Sequence, residues 1–245
     1  MKKLATIILY VISTTSLLAS ETLFEKANDY YAAEKYEDAI IIYDSIQQNG
    51  LQSKELYYNI GNTYYKLNDW SNAILYYEKT LKLDANNEDA LYNLKLVQLK
   101  IVDKIDTIPS LFFKKWFNTI ILLLPFDSWA IISLILFWLS FILYFIRKVK
   151  ILNLPIKIII SLFVFFVITF AFANKQFNQI EMQKSAIIFS SSVVAKSAPT
   201  LNANDLFTIH SGTKIIINDN IGEWLHIQLA NGNKGWILMS HCKNI

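Results

Sequence analysis

The sequence predicts a multidomain membrane protein with an α-helical repeat region, two transmembrane helices and a small all-β domain. Three observations predict this fold class. Apolar residues in the N-terminal third recur three and four positions apart, as in amphipathic helices. Two long uncharged stretches follow in the middle of the chain. Residues 186–245 then alternate apolar and polar side chains, as half-buried strands do.

Residues 56–87 predict a helical hairpin whose turn lies between Leu67 and Ser71. The small residues Gly61 and Ala73 fall where the two helices must approach closely. The same pattern occurs upstream at one offset, since 61 − 27, 73 − 39 and 77 − 43 all equal 34. The pattern is carried by Tyr57, Ile60, Gly61, Tyr64, Ala73 and Tyr77 in one copy and by Leu23, Ala27, Tyr30, Ala39 and Tyr43 in the other.

This pattern and its period resemble the tetratricopeptide repeat (TPR). The resemblance implies two antiparallel helices per repeat, in a TPR solenoid over residues 21–106. A third copy begins at Glu88 but lacks a second helix. We expect one helix from Glu88 to about Ile105 that rests on the membrane segment or on a partner, because arrays of fewer than about three repeats are rarely stable.

The net charge of +3 over 245 residues is unevenly distributed. Residues 21–106 carry nine Lys and fifteen acidic residues, which gives −6, and residues 175–245 carry six Lys and four acidic residues, which gives +2. The remaining residues supply +7, and −6 + 2 + 7 equals the total of +3. This charge flanks the apolar stretches and therefore indicates membrane flanks rather than nucleic-acid binding. Cys242 is the single cysteine, which excludes an intramolecular disulfide.

Residues 1–20 have the layout of a bacterial secretory signal peptide. Lys2 and Lys3 precede a long apolar run, which ends with the small residues Ala19 and Ser20. An uncleaved membrane anchor is the alternative. Either segment would deliver the residues that follow to the outside of the cytoplasm.

Residues 107–127 mix aromatic residues with two lysines, which favours an interfacial helix, with a buried re-entrant segment as the alternative. The uncharged stretches Trp129–Ile146 and Ile158–Ala173 predict a transmembrane hairpin over residues 128–174. The loop between these stretches holds only basic charges, so the positive-inside rule places it in the cytoplasm. Both flanking domains would then lie on the periplasmic side of the inner membrane. The basic residues of the loop are Arg147, Lys148, Lys150 and Lys157.

Residues 175–185 predict a polar stalk, and residues 186–245 predict a compact all-β domain. Asn231-Gly232 is a strong hairpin signal between two of its strands. The predicted strands are Lys214–Asn218, Trp224–Leu229 and Gly235–Met239.

This end of the chain resembles a bacterial SH3-like (SH3b) domain. The resemblance rests on Ser211–Lys214 before one strand, Glu223-Trp224 at the start of the next, and Gly232 with Gly235–Ile237 near the end. It implies a small closed barrel. Val193–Pro199 stands where the family has its first conserved loop and keeps only the Ser, the Pro and the strand, so the ligand of this face is left open.

The order of signal peptide, repeat pair, two spans with a basic turn and SH3b end resembles the BatE family of the Bat aerotolerance operon. The resemblance implies a bacterial membrane-bound accessory protein. It also implies other Bat membrane proteins as partners, which carry von Willebrand factor type A domains.

If the repeats superpose, their first helices share a concave groove. Its asparagines would hydrogen-bond an extended peptide through donor and acceptor together, and its aromatic rings would supply contact area. Its acidic row would favour a ligand with a Lys or a free amine. The alternative is that these residues only pack or face solvent. The four rows are Glu21, Glu55 and Asp89; Phe24, Tyr58 and Tyr92; Asn28, Asn62 and Leu96; and Tyr31, Tyr65 and Leu99.

Trp224 and Trp236 would either line an SH3-type face or fill the barrel core, and the core is favoured for Trp236. The soft metal ligands have spacings that match no zinc pattern, and the sequence holds no phosphate loop, dinucleotide turn or nucleophile elbow. We therefore expect no enzyme, no cofactor and no metal, although Cys242 remains a candidate nucleophile. The possible metal ligands are His210, His226, His241 and Cys242.

The sequence thus predicts a non-enzymatic inner-membrane scaffold that binds a protein or peptide in the TPR groove and holds a Bat-type complex at the membrane. The alternative is a cell-envelope protein that binds peptidoglycan peptide through its SH3b domain.

Overall fold

The computed structural model describes residues 21–105, 112–150, 154–181 and 184–245. The predicted signal peptide and the start of the predicted interfacial segment lie outside these ranges. The chain divides into two compact units, one of which joins the N-terminal helices to the C-terminal sheet. The N-terminal helices are α1 (21–32), α2 (Tyr36–Gln48), α3 (Lys54–Lys66), α4 (Trp70–Leu83) and α5 (Glu88–Gln98).

Short polar residues begin three of these helices. The side chains of Ser53, Asp69 and Asn87 accept hydrogen bonds from backbone N–H groups at the starts of α3, α4 and α5, respectively. These caps satisfy donors that have no partner inside the helix. The predicted hairpin and its turn are confirmed.

The repeat signature forms the helical core. A Cβ atom added at Gly61 would lie 2.8 Å from the Tyr77 ring, which explains the small residue between α3 and α4. Tyr64, in contrast, is only partly buried. The positions that are at most 5% exposed include Ala27, Ala39, Tyr43, Tyr57, Ile60, Ala73 and Tyr77.

Both helical turns use the same unusual backbone conformation. Glu34 has a φ of 60° and Asn68 a φ of 59°, and the two residues are 34 positions apart. This left-handed region suits Asn better than Glu, because the Asn side chain can hydrogen-bond locally. The two turns therefore have the same backbone shape, although Glu34 is poorly suited to a positive φ.

The last helix of this group is shorter than predicted. α5 ends at Gln98, whereas its apolar pattern continues to about Ile105. Ile101 and Ile105 do not extend the helix, because Ile101 packs into the helical core and Ile105 packs against the core of the C-terminal sheet. Leu99 is 71% exposed.

The C-terminal residues form a seven-stranded antiparallel sheet in the order β3-β2-β6-β5-β4-β1-β7. Among the described strands β3 and β7 do not pair with each other, so the predicted barrel is not closed. The Asn231-Gly232 turn is confirmed between β5 and β6, where Gly232 has a φ of 88°. The strands are β1 (Ser185–Ile188), β2 (Ser192–Lys196), β3 (Asp205–His210), β4 (Lys214–Ile221), β5 (Trp224–Gln228), β6 (Lys234–Leu238) and β7 (Cys242–Asn244).

Trp236 does not fill the core of the sheet. Its neighbours Gly235 and Ile237 are buried, and strand alternation directs Trp236 to the opposite face, where it is half-buried. There its ring stacks on His226 at a centroid distance of 4.9 Å. Trp224 lies on the same half-buried face, two residues before His226. The expectation of a core Trp236 is therefore wrong.

The second unit contains α6 (Phe112–Ile121), α7 (Phe126–Lys148) and α8 (Ile156–Glu181). α7 and α8 are each long and apolar enough, by length and composition alone, to cross a membrane. The predicted stalk is largely a continuation of α8. α6 leaves Phe112 84% exposed and Trp116 68% exposed, as an interfacial helix would.

Candidate peptide-binding groove

Asn28 is held in place by two side chains from neighbouring helices. Its Oδ1 accepts hydrogen bonds from the Tyr43 hydroxyl at 2.6 Å and from the Asn59 Nδ2 at 2.9 Å. Burial raises the pKa of Tyr43 to about 12, so this phenol stays protonated and can donate. Both lone pairs of the Asn28 carbonyl are therefore used inside the protein.

Asn62 repeats this arrangement one repeat later. Its Oδ1 accepts from the Tyr77 hydroxyl at 2.6 Å and from the Asn93 Nδ2 at 2.9 Å. The Asn93 Nδ2 also donates to the Tyr58 hydroxyl at 3.2 Å. Asn62, Tyr77 and Asn93 each lie 34 residues after their counterparts in the first network, which are Asn28, Tyr43 and Asn59. Since both carbonyls are occupied, Asn28 and Asn62 have only their Nδ2 donors to offer a ligand.

The aromatic residues of the groove are also paired in a repeated way. Phe24 lies 6.1 Å from Tyr43, and Tyr58 lies 6.0 Å from Tyr77, as ring-centroid distances. Such contacts fix the rings before any ligand arrives. Tyr31 and Tyr65 make matching edge-on contacts with Tyr36 and Trp70.

A cavity of about 260 Å³ opens between the first helices of the repeats. Phe24 and Tyr58 supply aromatic rings to its wall, and Glu55 and Asp89 supply carboxylates. Lys54 also lines the cavity, but its Nζ lies 2.9 Å from Asp84, which balances its charge. The two carboxylates therefore dominate the local charge. The remaining lining residues are Asn59 and Asn87.

The structure places four of the predicted groove residues on this cavity, whereas four others do not line it, namely Asn28, Asn62, Tyr31 and Tyr65. Tyr92 is 64% exposed and does not line the cavity, and Leu99 lies beyond the end of α5. Sequence reasoning missed Asn59 and Asn93, which orient the two groove asparagines. These residues are 34 positions apart, so a comparison of the two copies at every position could have found them.

One segment of this region matches a known protein family. Residues 55–87 match the tetratricopeptide repeat family. This match covers α3, α4 and the turn that follows. A comparison with curated proteins gave no significant match. TPR modules act in protein–protein interaction, and the match supports a scaffold of that general kind.

Two histidine side chains make polar contacts outside the TPR groove. The Ser190 Oγ lies 2.8 Å from the His241 Nδ1, and the His210 Nδ1 lies 2.8 Å from Asp103. Neither pair lines the cavity described above. Within the described part of the chain, no group of three or more His, Cys, Asp or Glu side chains is placed to hold a metal ion.

Proposed function

We propose that this chain is a non-enzymatic membrane scaffold that binds an extended protein segment in its TPR groove. The observation that carries this proposal is the duplicated asparagine network. Two Nδ2 donors, each fixed by a Tyr hydroxyl and a second Asn, stand one repeat apart on successive first helices. Two amide donors one repeat apart can hydrogen-bond to backbone carbonyl groups of an extended peptide.

The charge of the cavity narrows the class of ligand. Phe24 and Tyr58 offer ring faces to a cation, and Glu55 and Asp89 offer opposite charge. A Lys or Arg side chain, or a free amine, can contact the rings and pair with the carboxylates. The proposed ligand is therefore a basic segment of a partner protein.

The proposed location is the bacterial inner membrane, with α7 and α8 as a transmembrane hairpin. An even number of spans returns the chain to the side from which it entered. Contacts between α4 and β1 support this arrangement, since they require the TPR helices and the sheet to lie on one side. The basic turn between the spans favours the periplasmic side for both.

The proposed partners are other membrane proteins of a Bat-type complex, which the order of segments suggests. A second candidate function is cell-envelope binding through an SH3-like face. The stacked Trp236 and His226 rings beside Trp224 favour it, because they form a half-buried aromatic surface. Peptidoglycan peptide is the proposed ligand of that surface.

Co-purification in mild detergent followed by mass spectrometry tests the scaffold proposal. The wild-type chain is compared with an Asn28→Ala, Asn62→Ala variant whose folding is checked by circular dichroism. Specific membrane proteins that accompany the wild type and are lost from the variant support the TPR groove as the recruiting surface. Identical profiles contradict it. Pelleting of the full chain with purified sacculi, compared with Trp236→Ala, tests the second candidate.

A further inference from the structure

The third TPR copy is only half present. α5 corresponds to its first helix, but the described residues that follow it, 99–105, do not form a second one. Instead they run along the sheet. The Asp103 carboxylate accepts hydrogen bonds from the backbone N–H of His210 and the hydroxyl of Thr213, both at 2.6 Å. Ile105 packs against the buried core of the sheet.

One stripe of α4 faces the sheet along its length. Ile74, Glu78 and Lys82 are spaced four residues apart and so share one side of the helix. A Cβ atom at Gly212 would lie 3.3 Å from Ile74. The Lys214 Nζ lies 2.6 Å from the Glu78 carboxylate, and the Lys82 Nζ donates to the Ile245 carbonyl at 3.0 Å.

The equivalent stripe of α2 lies 34 residues earlier and includes Asp44. The second repeat covers it. Burial raises the pKa of Asp44, and Lys243 and Lys79 lie close enough to oppose that change. The adjacent Gln47 accepts a hydrogen bond from the Tyr76 hydroxyl at 2.9 Å. The next repeat therefore covers this face of α2, with Lys243 of β7 also close to Asp44, and the sheet covers the same face of α4.

We infer that the C-terminal sheet is the cap of the TPR array and lies where a further repeat would cover α4. Solenoid repeats bury their faces only against neighbours, and terminal repeats need a distinct closing element. Ile187 of β1 supplies apolar contact at this end, being fully buried in the same cluster as the TPR residues. This role is separate from any ligand that the sheet or the groove binds.

The order of the chain gives this cap a consequence. The helices α1–α5 precede the apolar hairpin, and the sheet follows it. The TPR array is complete only after the sheet has reached the same side as the helices. This consequence rests on the proposed transmembrane hairpin, because the cap then closes only after the C-terminal residues have passed it.

Hydrogen exchange of the full chain in detergent tests the cap. Gly212→Val places a side chain against Ile101, whose Cγ2 would lie 2.5 Å from the new Cβ. We expect backbone amides of α4 and α5 to exchange about tenfold faster, with little change in α1. Gly222→Val is the matched control, because Gly222 also has a positive φ but no atom within 4 Å of an added Cβ. Unchanged exchange in α4 and α5 of Gly212→Val overturns the inference.

A charge exchange between α4 and the sheet provides a second test in case the Gly212→Val variant does not fold. Glu78→Lys places a like charge against Lys214, and the double variant with Lys214→Glu restores an opposite pair. Faster exchange in α4 of the single variant that returns towards wild type in the double variant supports the cap. Exchange in α4 that does not change in either variant overturns it.

Discussion

The His210 ring Nδ1 lies 2.8 Å from the Asp103 Oδ1, although 107 residues separate the two in sequence. The same carboxylate is bonded to the His210 backbone and to Thr213. Burial by itself would raise the pKa of Asp103, but the hydrogen bonds from Thr213 and His210 outweigh burial and lower it. The ionised form of Asp103 therefore stabilises the junction between helices and sheet.

Asp103→Ala should lower the free energy of unfolding by about 1–3 kcal/mol at pH 7, because buried donors lose their acceptor. A lowered folded-state pKa contributes stability that is present above the unfolded value of 3.8 and is lost as pH falls through the folded value. The difference in free energy of unfolding between the wild type and Asp103→Ala should therefore shrink below about pH 4. Denaturant unfolding in detergent at several pH values measures both effects.

The control for this prediction is Asp205→Ala. The Asp205 carboxylate lies 2.5 Å from the Lys196 Nζ, but its side chain is 65% exposed, and exposed pairs contribute only about 0.2–1 kcal/mol. Equal destabilisation by the two substitutions would mean that the Asp103 hydrogen bonds stabilise the fold no more than an exposed ion pair does.

Glu34→Asn should stabilise the helical repeats by about 0.5–1 kcal/mol, because Asn adopts a positive φ more readily than Glu. The substitution makes the first turn a copy of the second, where Asn68 has nearly the same φ. Thermal unfolding measures the effect. Asn68→Glu is the reciprocal control and should destabilise by a similar amount. A lower melting temperature for Glu34→Asn would contradict the argument from the turn.

The sequence reveals the helical core because the repeats encode it twice. Ala27 and Gly61, or Tyr43 and Tyr77, occupy equivalent places, so one helix pair predicts the contacts of the other. The contact between Asp103 and His210 has no such signature, because it joins segments of different type. For the same reason the apolar pattern beyond Gln98 predicts more helix than forms.

The groove asparagines show a finer limit of sequence reasoning. The spacing of Asn28 and Asn62 predicts polar positions on the concave face, and in the structure both side chains are partly buried. The spacing does not indicate that the hydroxyls of Tyr43 and Tyr77 donate to the side-chain carbonyls of these asparagines. That detail depends on side-chain geometry across two helices, and it changes the expected contact from donor and acceptor together to donor alone.

Tyr77→Phe should preserve ligand capture, whereas Asn62→Ala should abolish it. The first substitution removes one internal donor and costs about 1 kcal/mol of stability, but it leaves the Asn62 Nδ2 in place. The second removes that Nδ2. The amount of partner that co-purifies measures both. Equal loss from the two variants would mean that impaired folding, rather than a missing contact, explains the effect.

Cys242 should react slowly with thiol reagents in the folded protein. Burial raises the pKa of its thiol to about 11, so little thiolate exists at pH 8. Alkylation by iodoacetamide should be about a hundredfold slower than for an exposed cysteine and should become fast after denaturation. Asn202→Cys in a Cys242→Ser background supplies the exposed control. Equal rates for the two thiols would contradict the burial argument.

Glu55→Gln with Asp89→Asn should weaken capture of a basic partner segment about three- to tenfold, since each exposed charge contributes about 0.2–1 kcal/mol. Both side chains line the cavity, so their carboxylates act together on one cation. The wild-type affinity should fall with added salt, and that dependence should be smaller in the variant. Glu25→Gln with Glu88→Gln makes the same change in net charge on exposed residues outside the cavity. Equal weakening by the two pairs would mean that overall charge, and not the cavity, attracts the ligand.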